Sequence, residues 1–236
     1  GAKVTVGDVT EEVLAKLTEK KGTNTGTVNV PVTYTVDGKD YTTTIPVTVN
    51  VKGSDTKPVY VVEGDKPDPK DVNKAVTPGE GGTVGNPTTL PDTNGKVGST
   101  DVTVDVPVTY DNGKVTETVK VPVTVLPKVS PEGVVVPKDS DPDKLKELIK
   151  KQAEDAAGKL TNLPNGVKVT VTEVNTVPGT DETGNRTPAT VTVEYTDKDG
   201  NKITKVIEVP VNVVEPKATP IIVPERTKLT KKDVEK

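Results

Sequence analysis

The sequence predicts a mainly β protein that is built from small modules in tandem. Apolar residues, most of them valine, occupy every second position of 102–110 and again of 115–125, with the exception of Glu117. Such alternation is typical of strands that bury one face. The two runs are separated by Asn112-Gly113, a pair that tolerates positive φ at both centres of a type I′ turn. This hairpin pattern occurs three times, and repetition at this spacing favours small modules over one large domain.

The register of each hairpin follows from its turn, because a shift by one residue would turn the apolar face outward. With Asn112-Gly113 as the loop, the facing pairs are Tyr110 with Val115, Val106 with Val119, Val104 with Val121, and Val102 with Val123. With Asp37-Gly38 as the loop, they are Tyr34 with Tyr41, Val30 with Ile45, and Val28 with Val47. In the hairpin with Asn112-Gly113, only Glu117, which faces Val108, breaks the apolar pattern.

The third copy has the longer connection 197–201. A three-residue loop with Gly200 in the left-handed region pairs Tyr195 with Ile203 and Val191 with Ile207. Three tyrosines and three prolines are then equivalent: Tyr34, Tyr110 and Tyr195, and Pro46, Pro122 and Pro210. Because proline cannot donate to a ladder, we expect the prolines inside these strands to lie at sheet edges or bulges and not in central strands.

Composition excludes several classes of function. The 236 residues are 31% hydrophobic and include no Phe, Trp, Met, Cys or His, so each core must consist of Val, Ile, Leu and Tyr. Without Cys or His there is no thiol nucleophile and no His-based triad. The net charge of −4 with interspersed signs offers no basic stripe for nucleic acid, and no apolar run is long enough to span a membrane. We therefore expect no enzyme, and assign no catalytic, cofactor-binding or metal residues and no cofactor.

Three modules are predicted along the chain, followed by the start of a fourth. Residues 1–53 form a compact module in which the capping-box spacing of Asp8 and Glu11 precedes a short helix that carries Val13, Leu14 and Leu17 on one face. Residues 54–127 open with a strand at 59–62 and a helical turn near Pro69, and contain a long ordered loop at 78–100. Residues 128–217 have an opening strand at 134–136, a further strand at 167–171 and the Gly- and Thr-rich segment 178–188.

The longest predicted helix lies near 142–158. Asp141 supplies its N-cap and Pro142 its first residue. An apolar face then recurs at helical spacing: Leu145, Leu148, Ile149, Ala153, Ala156 and Leu160.

The tail repeats an earlier segment. Residues 220–236 align without gaps on 58–74, so that Pro58 matches Pro220 and Glu63 matches Glu225. We interpret 218–236 as the start of a truncated fourth unit in a longer array.

Several short motifs have competing interpretations. Asp197–Asn201 resembles half of a calcium loop, and Glu208 is in twelfth place. Gly200, however, is fourth, where a calcium loop has glycine sixth. A hairpin turn explains these residues better.

The acidic residues at 139, 141 and 143 indicate the start of a helix more than a metal site. The glycines at 79–82 lack the flanking strand and helix of a phosphate loop. Residues 90–93 match the opening of a sortase signal, and 185–187 a glycosylation acceptor; both are read as loop.

The second hairpin resembles a known family. Val-Thr-Tyr, an Asx-Gly turn and Val-x-Val-Pro-Val-Thr-Val within 108–125, together with Pro91-Asp92-Thr93 and Gly95-Lys96 upstream, are similar to the Rib/alpha-like repeats of Gram-positive surface proteins. The resemblance implies immunoglobulin-like β-sandwich modules in which helix or coil replaces some strands. It also implies a stalk between a cell wall and a distal adhesin domain.

The function expected from repeats and resemblance together is a structural spacer of an extracellular, cell-wall-anchored adhesin, with anchoring through regions outside this segment. Its partners would be neighbouring modules of the same chain, with no nucleic acid and no membrane, and the segment would be a monomer. The alternative is an adhesin module that binds a host glycan or protein through 78–100 or 178–188.

Overall fold

The computed structural model describes residues 3–11, 15, 24–215, 222–226 and 228–231. It is mainly β, as predicted, and contacts divide the chain into two compact units. The first comprises Gly1–Lys128 with Asn162–Pro164, and the second comprises Val129–Thr161 with Asn165–Lys236. This division is coarser than the predicted modules, whose boundaries stay a prediction. No helix in the described ranges is long and apolar enough to cross a membrane.

The described residues of the first unit form three sheets. Its strands are β1 (Lys3–Val6), β2 (Asn24–Val36), β3 (Lys39–Val51), β4 (Asp55–Thr56), β5 (Val59–Val62), β6 (Val76–Thr77), β7 (Thr83–Val84), β8 (Thr103–Tyr110) and β9 (Val115–Leu126). The orders are β1-β2-β3, β4-β6 and β5-β9-β8-β7. The short helix α1 (Pro69–Lys74) follows β5 and is capped by the Asp68 carboxylate, which accepts from the Lys70 amide. The helical turn expected near Pro69 is confirmed.

In the second unit, the part of the chain that the structure describes forms two sheets and the longer helix. Its strands are β10 (Val134–Pro137), β11 (Lys168–Thr176), β12 (Gly184–Asn185), β13 (Ala189–Thr196), β14 (Lys202–Val209) and β15 (Val211–Val214), in the orders β10-β15-β12 and β11-β13-β14. Helix α2 spans Pro142–Gly158, as predicted, and its face buries Leu145, Ile149 and Ala153. The Asp141 carboxylate caps it by accepting from the amides of Asp143 and Lys144.

All three predicted hairpins are confirmed with their registers. The first is β2–β3, the second β8–β9 and the third β13–β14, with Tyr34 opposite Tyr41, Tyr110 opposite Val115, and Tyr195 opposite Ile203. The turns agree too. Asp37 and Gly38 both have positive φ, Asn112 and Gly113 have φ of 54° and 89°, and Gly200 has φ of 85°. The alternation in the sequence therefore fixed each register correctly.

The edge interpretation of the strand prolines is wrong for Pro107. It lies in β8, which is flanked by β9 and β7. Its carbonyl accepts from the Gly85 amide at 2.8 Å, immediately beyond the end of β7. In an antiparallel ladder, the amide and the carbonyl of one residue face the same neighbouring strand. The backbone N–H that Pro107 lacks would therefore have pointed to the residues beyond the end of β7. Pro31 repeats this arrangement with Gly7, beyond the end of β1.

One helix prediction lies mostly outside the described residues. Glu11 and Ala15 are helical. Val13, Leu14 and Leu17, the predicted apolar face, fall among the residues that the structure does not describe. The core of the first unit is built on the second hairpin, with Val104, Val106, Val108 and Val121 fully buried. Val59, Val61 and Val72 belong to the same cluster.

Candidate functional site

A polar cluster joins residues 52–54 to the second hairpin, and we call its members Ser54, Tyr110 and Glu117 the joint cluster. The Glu117 carboxylate accepts from the Ser54 amide at 3.2 Å and from the Ser54 hydroxyl at 2.8 Å. The Tyr110 hydroxyl lies 3.1 Å from the same carboxylate and 2.9 Å from the Ser54 hydroxyl. Tyr110 itself is buried, with 4% of its surface exposed. These bonds fix the segment between the first and second hairpins.

The glycine-rich stretch 79–82 packs against the same place. A Cβ on Gly79 would come within 2.5 Å of the Gly53 carbonyl oxygen, and a Cβ on Gly82 within 2.6 Å of the Tyr110 ring. The Gly79 amide donates to the Tyr110 hydroxyl at 3.3 Å. Glycine at these two positions permits the close approach of backbone to the joint cluster. The stretch is therefore a packing element, and the interpretation as loop rather than phosphate site agrees with its position.

Sequence reasoning missed the role of Glu117. Its position opposite Val108 is confirmed, and it is half-buried. A single acidic residue in an otherwise apolar strand face was the available signal, because a half-buried carboxylate needs hydrogen-bond donors. The donors come from residue 54, which is distant in sequence, so the alternation pattern alone could not identify them.

The long loop 78–100 is tied to the opening of its module. Thr93 is 1% exposed; its hydroxyl donates to the Asp65 carbonyl at 2.7 Å and accepts from the Gly64 amide at 3.0 Å. The Gly95 amide donates to the Glu63 carboxylate at 2.9 Å. The Asp92 carboxylate accepts from the backbone and side-chain nitrogens of Asn94, and these bonds lower the pKa of Asp92. The residues that match a sortase signal thus form a folded loop.

The segment 178–188 is held by its own polar groups. The Arg186 guanidinium donates to the Gly179 carbonyl at 3.1 Å and to the Glu182 carboxylate at 3.0 Å, and it lies 3.7 Å from Asp181. The buried Thr180 hydroxyl donates to the Ser140 carbonyl at 3.2 Å. Asn185 of the acceptor motif is exposed in β12. Arg186 therefore holds the segment together, and Thr180 attaches it to residue 140.

The calcium-like loop is a hairpin turn. One oxygen of Asp197 accepts from the amides of Asp199 and Asn201 at 2.9 and 2.8 Å, and the other from the Asn201 side chain at 2.8 Å. The bond from the Asn201 side chain is the main cause that lowers the pKa of Asp197. Glu208, the twelfth residue of the motif, lies far along β14 opposite Thr190. Among the residues that the structure describes, no three acidic side chains form a group that could hold a metal ion.

Comparison with known proteins shows no family for this chain. No family model and no curated protein sequence matches it. Solved structures that it resembles include an endo-fucoidan hydrolase of glycoside hydrolase family 107, at 10% identity over 84% of this chain and a TM-score of 0.21. Extracellular cadherin domains 1–5 of protocadherin gamma B2 match 92% of the chain at 10% identity and a TM-score of 0.18. Drosophila N-cadherin domains EC1-4 match at 12% identity over 80% of the chain, with a TM-score of 0.18.

The chain spans only part of each of these structures. It covers 35% of the hydrolase, 53% of the protocadherin and 58% of the N-cadherin.

Proposed function

We propose that this chain is a non-enzymatic spacer segment of an extracellular, cell-wall-anchored adhesin, built from Rib-like modules of immunoglobulin type. The observation that carries the proposal is the repetition of one hairpin in one register, with equivalent tyrosines and Asx-Gly or Gly-containing turns. Repeated modules that contact mainly their neighbours allow length to change without redesign. A spacer needs that property, whereas an active site needs a unique arrangement.

The joint cluster supports the mechanical part of the proposal. A spacer holds its far end at a fixed distance only if the linkers between its modules are stiff or restrained. Here Ser54 makes two hydrogen bonds to Glu117, and Lys52 lies 3.5 Å from Glu80. Hydrogen bonds to a charged group contribute about 1.5–3 kcal/mol each when shielded from water. The linker is therefore restrained by the second hairpin.

Small-angle X-ray scattering of the dilute chain tests the proposal. Three modules in line, each with strands of about ten residues at ~3.3 Å per residue, would extend over roughly 100 Å. The expected radius of gyration is then about 30 Å, compared with about 18 Å for a compact domain of this length and about 53 Å for an unfolded chain. A urea-unfolded sample supplies the upper reference. A radius near the compact value would contradict the spacer.

Binding to a host glycan or protein is the alternative function. In 78–100 the Thr93 hydroxyl and the Gly95 amide bond to residues 65 and 63, and in 178–188 Arg186 bonds to Gly179 and Glu182, so these groups are occupied within the fold. A glycan and matrix-protein binding screen separates the two functions, since the spacer predicts no hits. A hit lost on replacing exposed residues of either loop would favour the binding module.

A further inference from the structure

A strand near the start of the second predicted module pairs in parallel with the strand that ends it. Strand β5 lies beside the last residues of β9, with Val59 opposite Val123 and Val61 opposite Val125. The Glu63 amide, immediately after β5, donates to the Leu126 carbonyl at 2.9 Å and closes this ladder. The two places at which the chain enters and leaves this module are therefore joined by backbone hydrogen bonds.

The second unit repeats the arrangement. Strand β10 lies parallel to β15, with Val134 opposite Val211. The Lys138 amide, immediately after β10, donates to the Val214 carbonyl at 2.8 Å and closes the ladder in the same way. Each unit thus contains one parallel ladder between a strand that opens a module and the strand that closes it.

The direction of the strands decides how each ladder responds to tension. The chain enters β5 at Val59 and leaves β9 at Leu126. Because the two strands are parallel, these points lie at opposite ends of the paired stretch. Tension along the chain therefore pulls the strands past each other and loads all the hydrogen bonds of the ladder together.

The hairpin β8–β9 would respond differently if it carried the load. Thr103 lies opposite Pro122, so the two open ends of this antiparallel pair are at the same place. Tension applied to those ends would separate the strands one hydrogen bond at a time. While the parallel ladder holds, however, the load passes directly from β5 to β9 and bypasses the hairpin.

The side chains of both ladders are shielded from water. In the first unit, Val59 and Val61 are 8% and 5% exposed, and Val123 and Val125 are 3% and 1% exposed. The corresponding valines of the second unit are buried as well: Val134, Val136, Val211 and Val213. Breaking such a ladder exposes apolar surface in addition to the backbone groups, and both changes oppose the separation of the strands.

We propose that each parallel ladder is a mechanical clamp, which keeps its module folded when the chain is stretched along its length. The clamp rests on the proposed spacer function for its use, since a spacer that holds a distal domain is loaded through its two ends. β5 contributes four residues to its ladder. In shear these residues separate within a displacement of about one residue, ~3.3 Å, whereas peeling them apart takes about four such steps. Because force is energy divided by distance, shear should require about threefold more force, or more.

Single-molecule force spectroscopy with two attachment geometries tests the clamp. The chain has no cysteine, and Lys57, Lys66 and Lys128 are exposed. Attachment through Lys57→Cys with Lys128→Cys loads the β5–β9 ladder in shear. Lys66→Cys with Lys128→Cys is the matched control, because a turn at 63–64 places both attachment points near the same end of the ladder. The first variant should unfold at a force about threefold higher than the second, or more.

The second unit supplies an independent repeat of this experiment. Glu132→Cys with Glu215→Cys loads the β10–β15 ladder in shear, and Lys138→Cys with Glu215→Cys peels it. All of these side chains are exposed. Without load, the urea midpoints of each pair of variants should coincide, because the equilibrium stability does not depend on the direction of a later pull.

The outcome separates the clamp from the spacer. Equal unfolding forces in the two geometries, or a lower force in shear, would overturn the clamp in that unit. A compact particle in the scattering experiment would contradict the spacer but would leave the ratio of the two forces unchanged.

Discussion

Replacing Tyr110 with alanine is expected to destabilise the second hairpin by about 3–5 kcal/mol, because the change removes a buried aromatic ring and leaves a cavity. Tyr110 is 4% exposed, and its hydroxyl lies within hydrogen-bond distance of Ser54 and Glu117. The loss is a large share of the stability of a typical domain. Hydrogen exchange read by mass spectrometry over 103–126 should accelerate by about a hundredfold or more.

Tyr41→Ala is the matched control for this prediction. Tyr41 lies beside the turn of the first hairpin at the position equivalent to Val115, and it is 59% exposed. Exposed substitutions away from caps and networks change stability by about 0.5 kcal/mol or less. Tyr110→Phe separates the hydroxyl from the ring and should cost about 1–3 kcal/mol. Equal effects of Tyr110→Ala and Tyr41→Ala would contradict the core assignment.

Ile149→Ala is expected to destabilise the second unit by about 2–5 kcal/mol, the range for truncation of a fully buried aliphatic side chain. Ile149 is 0% exposed and lies on the buried face of α2 with Leu145 and Ala153. That helix packs against β11, so the cavity would open between helix and sheet. Urea unfolding followed by circular dichroism measures the loss.

The neighbouring Leu148 supplies the control for that helix. Leu148 is 46% exposed. Leu148→Ala removes a similar volume from the solvent side, where the expected change is about 0.5 kcal/mol or less. If Leu148→Ala destabilised the chain more than Ile149→Ala, the orientation of the helix would be wrong. The sequence had grouped both residues on one apolar face, and the structure separates them.

Local patterns were enough to predict the hairpins and the longer helix. Alternation fixed the buried face of each strand, and an Asx-Gly pair fixed the turn, so the pairs formed by Tyr34, Tyr110 and Tyr195 followed by counting. Asp141 and Pro142 marked the helix start for the same reason, since capping depends on adjacent residues.

Features that depend on distant segments were not predictable in this way. The parallel pairing of β5 with β9 joins residues about 60 positions apart, and the sequence of neither strand indicates which strand it pairs with. Pro107 was assigned to an edge because the sequence does not reveal that β7 ends beside it. The joint cluster was missed for the same reason, since Ser54 and Glu117 meet only in the fold.

The equivalence of the three tyrosines holds for register but not for burial. Tyr110 and Tyr195 are 4% and 2% exposed, whereas Tyr34 is half-buried. Burial depends on what covers the hairpin, and among the described strands β3 has no neighbour on its outer side, whereas β9 pairs with β5. The three hairpins therefore share their strand pairing and differ in how completely other segments cover their apolar faces.

Engineered disulfides test most directly the central claim that three copies of one hairpin fold in one register. The natural chain has no cysteine, and equivalent facing pairs exist at Thr33 with Thr42, Thr109 with Thr116, and Glu194 with Thr204. Facing Cβ atoms lie about 4.5–5.5 Å apart, close to the spacing of a disulfide, whereas diagonal neighbours are about 7–8 Å apart. Each of the three double-cysteine variants should therefore oxidise to an intramolecular disulfide, read by mass spectrometry, while the diagonal pair Thr109 with Thr118 should remain reduced. Preferential crosslinking of the diagonal pair, or crosslinking in only one of the three hairpins, would contradict the repeated register.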